Sequence, residues 1–63
     1  MKRTLKSIRI DLGLTQEQMA KKLNLGVQTW RNKEAYRSEL TATELLELCE
    51  MAKVDPMQVK LTN

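Results

Sequence analysis

The chain has 63 residues and a formal net charge of +3, with no histidine, one cysteine and two glycines. A domain of that size buries only about 60% of its unfolded surface, and the inventory excludes a zinc site, a Cys-His or Ser-His nucleophile and a glycine-rich phosphate loop. The charge is uneven: residues 1–37 carry nine basic and three acidic side chains, residues 38–63 two basic and five acidic, so the first part suits a polyanionic partner.

Every acidic residue reads as a helix cap or a solvated helix face, so no enzyme is expected. No apolar run approaches the ~20 residues of a membrane span, and the start MKRTLKSIRI lacks the apolar core of a signal peptide. A lone cysteine fits a reducing compartment. The expectation is one cytoplasmic domain, residues 1–63, with no cofactor, metal, membrane or small-molecule substrate.

In chain order, Met1 to Arg3 reads as a frayed basic end. From Thr4 to Leu12 the apolar positions Leu5, Ile8 and Leu12 recur at helical steps, with Thr4 as cap and Gly13 as terminator. Leu14 then returns to the core. Lys6 and Arg9 fall on the polar side of this first helix, and Arg9 is a candidate phosphate contact.

Thr15 caps a second helix, Gln16 to Leu23, with Gln18 reaching back from three residues on and Met19, Ala20 and Leu23 on one face. Asn24 sits where a left-handed residue is needed just past the helix end, Leu25 points inward, and Gly26 opens a third helix, Val27 to Ala35. Trp30 is the only large apolar side chain able to anchor that helix, so Val27, Gln28, Arg31 and Asn32, linked by three- and four-residue steps, form its exposed face.

Tyr36 to Leu40 reads as a loop in which Tyr36 either covers the core edge or donates its hydroxyl to the backbone. Thr41-Ala42-Thr43-Glu44 has capping-box spacing, and Leu45, Leu48, Cys49 and Ala52 make the stripe of a fourth helix ending near Lys53. Cys49 is expected as a small core hydrophobe. Leu46 and Met51 lie off the stripe, and Glu47 and Glu50 face away from it, which places this helix far from a duplex. Val54 closes the core. Asp55 as cap, Pro56 at the first position and Gln58 three beyond the cap predict a fifth short helix.

Amide and guanidinium groups at the start of an exposed helix suit the major groove of B-DNA, where Gln or Asn pairs with N6 and N7 of adenine and Arg with O6 and N7 of guanine. Small Ala20, turn residue Asn24, apolar Leu25 and buried Trp30 let two helices cross at the ~90–120° of a helix-turn-helix. From Leu5 to about Leu61 the chain resembles the helix-turn-helix family of the lambdoid phage repressors and Cro proteins. That resemblance implies an all-α, five-helix domain whose third helix reads bases through Val27, Gln28, Arg31 and Asn32. It also implies phosphate contacts from Gln16, which matches the family's glutamine at the start of the second helix, and from Thr29, Lys33 and Arg37. Two positions depart from the family pattern: Asn24 replaces the usual turn glycine, and Lys33 stands where many members are apolar, its stem expected to be buried and its ammonium directed to a phosphate.

Because the chain ends soon after the fifth helix, a Cro-like repressor is the closer match, acting as a homodimer on pseudo-palindromic double-stranded DNA. Met57, Val59 and Leu61 are the candidate dimer contacts. The alternative is an antitoxin-like or anti-repressor interaction module on the same fold. It would need an apolar patch where this chain offers Gln28, Arg31 and Asn32.

Overall fold

Residues 2–62 are described by the computed structural model, so the readings for Met1 and Asn63 lie outside the described residues. The helices are α1 (Leu5–Asp11), α2 (Gln16–Lys22), α3 (Val27–Glu34) and α4 (Ala42–Ala52). Their starts follow from the capping residues. The Thr4 hydroxyl accepts the Ser7 amide at 3.0 Å. Thr15 with Gln18 and Thr41 with Glu44 form reciprocal capping boxes, the hydroxyl taking the third-residue amide at 3.1 Å and the returning side chain taking the cap amide at 2.9 Å. Only α3 opens without a side-chain cap, on Gly26.

All four helices stop in the same way. A residue in the left-handed region follows each: Gly13 (φ 73°), Asn24 (59°), Tyr36 (62°) and Lys53 (56°). The next amide then reaches back to a carbonyl of the last turn, Leu14 to Arg9 at 3.2 Å, Leu25 to Ala20 at 2.8 Å, Arg37 to Asn32 at 2.8 Å and Val54 to Cys49 at 3.0 Å. This closure satisfies otherwise orphaned carbonyls and turns the chain sharply. Leu14, Leu25 and Val54 thereby fold onto the core. Gly13 and Asn24 were expected in this role; Tyr36 and Lys53, side chains that tolerate the conformation poorly, were not.

Tyr36 accepts that conformation because its side chain is held at the far end. Its hydroxyl donates to the Lys60 carbonyl at 2.8 Å and accepts the Leu5 amide at 3.2 Å, while the ring packs against the core. Both open readings of Tyr36 therefore apply. The hydroxyl bridges the two ends of the chain where Arg3 and Val59 form a parallel bridge, with Arg3 donating to Gln58 at 2.8 Å and Lys60 donating to Arg3 at 2.7 Å. Arg3 also pairs with Asp11, so the basic start is tied down at Arg3 and does not fray there.

The expected fifth helix is a correction. Asp55 caps and Pro56 leads as foreseen, but only one 3-10 turn forms, Pro56–Gln58. Val59 then turns extended (φ −93°, ψ 128°) to pair with Arg3, and an extended residue cannot continue a helix. Val59 is 1% exposed, which removes it from the candidate dimer contacts; Met57 and Leu61 remain exposed.

Each element contributes to one core: Leu5 and Ile8 from α1, Met19, Ala20 and Leu23 around α2, Trp30 from α3, Leu48 and Cys49 from α4, then Val54 and Val59. Trp30 is its largest fully buried side chain. Cys49 is a buried free thiol whose pKa is raised by burial and by the Asp55 charge, which favours the protonated form.

An ion pair ties α3 to α4. Lys33, buried on α3, donates from Nζ to Glu44 Oε1 at 2.7 Å and to the Glu39 carbonyl at 3.0 Å. Burial pushes the Glu44 carboxyl up, but the Lys33 hydrogen bond, the Thr41 amide and the Lys33 charge outweigh it and hold it below its ordinary value. A depressed carboxylate stabilises the fold above its unfolded pKa, about 4.3, and that contribution is lost as pH falls through the lower folded value.

Three outcomes are expected. Trp30→Ala costs on the order of 3–5 kcal/mol as a large core truncation, comparable to all that a core of this size supplies; a native-like melt followed by circular dichroism would contradict the packing. Lys53→Gly stabilises the fold by roughly 0.5–1 kcal/mol, measured as a higher urea midpoint, because it relieves a left-handed side chain. Lys33→Met destabilises by about 1–2 kcal/mol at neutral pH, since it leaves the Glu44 carboxylate, its side chain 13% exposed, without its cation. The gap from the parent should close as falling pH protonates Glu44, below the ordinary carboxylate range, and a pH-independent gap would show that the charge pair contributes nothing.

Candidate nucleic-acid interface

The third helix is held from behind and polar in front. Trp30 faces inward with no exposed surface, and Gln28, Thr29 and Arg31 are exposed. Asn32 and Val27 are half-buried at the margins, Val27 against the core. This polar surface is nearly the face expected from helical spacing. Gln28 Nε2 donates to Asn32 Oδ1 at 3.3 Å, one turn along. The two amides are thus linked along one face of the helix.

Behind this face lies a buried carboxylate that sequence reasoning missed. Glu34 Oε2 accepts Trp30 Nε1 at 2.7 Å and Arg9 Nε at 2.9 Å, while Oε1 accepts Arg9 Nη2 at 3.2 Å and Gln16 Nε2 at 3.4 Å. Arg9 uses its remaining terminal nitrogen on the Leu14 carbonyl at 2.8 Å. Glu34 is therefore neither a cap nor a solvated face. A signal for it was present: a buried indole N–H requires an acceptor, and Glu34 stands one helical turn beyond Trp30.

This arrangement engages two of the expected phosphate contacts inside the fold. The Arg9 guanidinium turns inward, its side chain 12% exposed, because Glu34 and the Leu14 carbonyl take its donors. The Lys33 stem is buried as expected, but its ammonium is occupied by Glu44 and Glu39 inside the fold and is not left to reach a phosphate. Among the other expected contacts, Thr29 and Arg37 are exposed and Gln16 is half-buried. Gln16 Oε1 accepts Arg31 Nε at 3.1 Å, which brings the start of α2 onto the polar face of α3.

Glu47 and Glu50 are exposed on α4, an element separate from the α2–α3 unit. Among the described residues no His, Cys, Asp and Glu cluster capable of holding a metal ion is present, and no helix is long and apolar enough to cross a membrane.

Comparison with curated proteins and with solved structures returns no match. A family model described as helix-turn-helix matches residues 5–58, a span that takes in all four helices and the 3-10 turn. With α2 and α3 joined by a left-handed Asn24 and a polar α3 backed by Trp30, the chain belongs to the helix-turn-helix family of the lambda repressor and Cro type, whose members are DNA-binding transcription regulators.

Proposed function

We propose that the protein is a Cro-like phage or prophage repressor that inserts α3 into the major groove of its operator. The observation that carries this reading is the exposed Gln28, Thr29 and Arg31 on a helix whose opposite side is locked by fully buried Trp30. Gln28 with Asn32 supplies amides suited to the N6 and N7 edge of adenine. Arg31 supplies a guanidinium for O6 and N7 of guanine, and Val27 an apolar surface for a thymine methyl. Gln16, Thr29 and Arg37 are assigned to phosphates, which fix register without carrying sequence information. Arg9 and Lys33 leave that set.

One such helix reaches few base pairs, so a symmetric dimer on half-sites about one helical turn (~34 Å) apart is the form proposed to bind. Met57 and Leu61, exposed beside the paired chain ends, are the surface assigned to dimer contact.

Selection of bound sites from a random duplex library should return a pseudo-palindrome. Against that site, Gln28→Ala and Arg31→Ala should each reduce discrimination from random duplex by about 1–3 kcal/mol. Selectivity unchanged in both variants would overturn the assignment of the reading face.

A further inference from the structure

Gln16 lies between two groups of opposite character. Its Nε2 faces the Glu34 carboxylate at 3.4 Å, and its Oε1 holds Arg31 Nε at 3.1 Å. A carboxylate only accepts, so Glu34 requires the nitrogen end of the amide and turns the oxygen towards Arg31. Glu34 cannot swing to relax this choice, because Trp30 and Arg9 hold both of its oxygens. Arg31 is otherwise an exposed, long side chain. Held by Nε alone, its two terminal nitrogens have no hydrogen-bond partner among the described residues, and these two form a fork able to face O6 and N7 of guanine.

We propose that Gln16 is a positioning residue for Arg31: anchored on Glu34, its amide oxygen presets the guanidinium fork, so that selectivity at the base pair read by Arg31 depends on Gln16. This deepens the reading of α3 above and rests on Arg31 contacting a base. A phosphate contact from the second N–H of the same amide is compatible with it, but predicts a different response to substitution.

The test is a double-substitution cycle with Gln16→Met, which keeps the length and bulk of the side chain and removes the acceptor, and with Arg31→Ala. Dissociation constants are measured on the selected operator and on random duplex at several salt concentrations, and thermal melts verify that each variant folds. Gln16→Met alone should lower the operator-to-random ratio about fivefold, a fraction of a full bidentate pairing, and should lower it no further once Arg31 is alanine. If Gln16→Met instead weakens both duplexes equally, with a salt slope smaller by about one, and leaves the ratio intact, Gln16 is a phosphate contact only and the proposal falls while the reading face stands. If Arg31→Ala itself leaves the ratio unchanged, Arg31 contacts no base and the proposal falls, while Gln28→Ala decides separately whether the rest of the reading face stands.

Discussion

The fold turns on one buried carboxylate. Glu34 collects the indole N–H of Trp30, two nitrogens of Arg9 and the amide of Gln16, so α1, α2 and α3 are fixed to one another by a single acceptor group. A charge in that position is tolerable only when fully paired. Here the side-on pairing by Arg9 neutralises it, and no buried side-chain polar atom among the described residues is left without a partner. Trp30 supplies the apolar area and Glu34 the orientation; together they fix the rotation of α3 about its own axis and hence which residues it shows to the outside.

A second constraint is the sharpness of the turns. With helices of seven to eleven residues, little length is available for loops, and each helix ends on a left-handed residue with a back-reaching amide. Three of those residues are not glycine. At Asn24 the side chain tolerates the conformation. At Tyr36 the two hydrogen bonds of the hydroxyl hold the far end of the side chain, which couples the end of α3 to the pairing of Arg3 with residues 58–60. Lys53 has no comparable compensation in the structure.

The ionic residues divide by use. Arg9, Lys33, Glu34 and Glu44 are consumed in holding helices together, whereas Arg31 and Arg37 remain outward. The basic excess of residues 1–37 therefore overstates what reaches a partner, since two of its nine cations are internal. The acidic excess beyond residue 37 is thinned in the same way by Glu44, leaving Glu47 and Glu50 on the solvent side of α4.

Local spacing by itself determined where the four helices start, that Met19, Trp30, Leu48 and Cys49 are core, and that α3 shows an amide and guanidinium face. Caps, turn residues and apolar periodicity act over three or four positions and can be read directly. What only the tertiary structure decided is the fate of polar groups whose partners are distant in sequence: Arg9 meets Glu34 across 25 residues, Lys33 meets Glu44 across 11 and Tyr36 meets Lys60 across 24. No periodicity encodes such pairings, so Arg9 and Lys33 read as phosphate contacts and Glu34 as solvated until the packing of α1, α2 and α4 around α3 brought their partners together. The same holds for Val59, whose extended pairing with Arg3 ends the last helical turn after three residues.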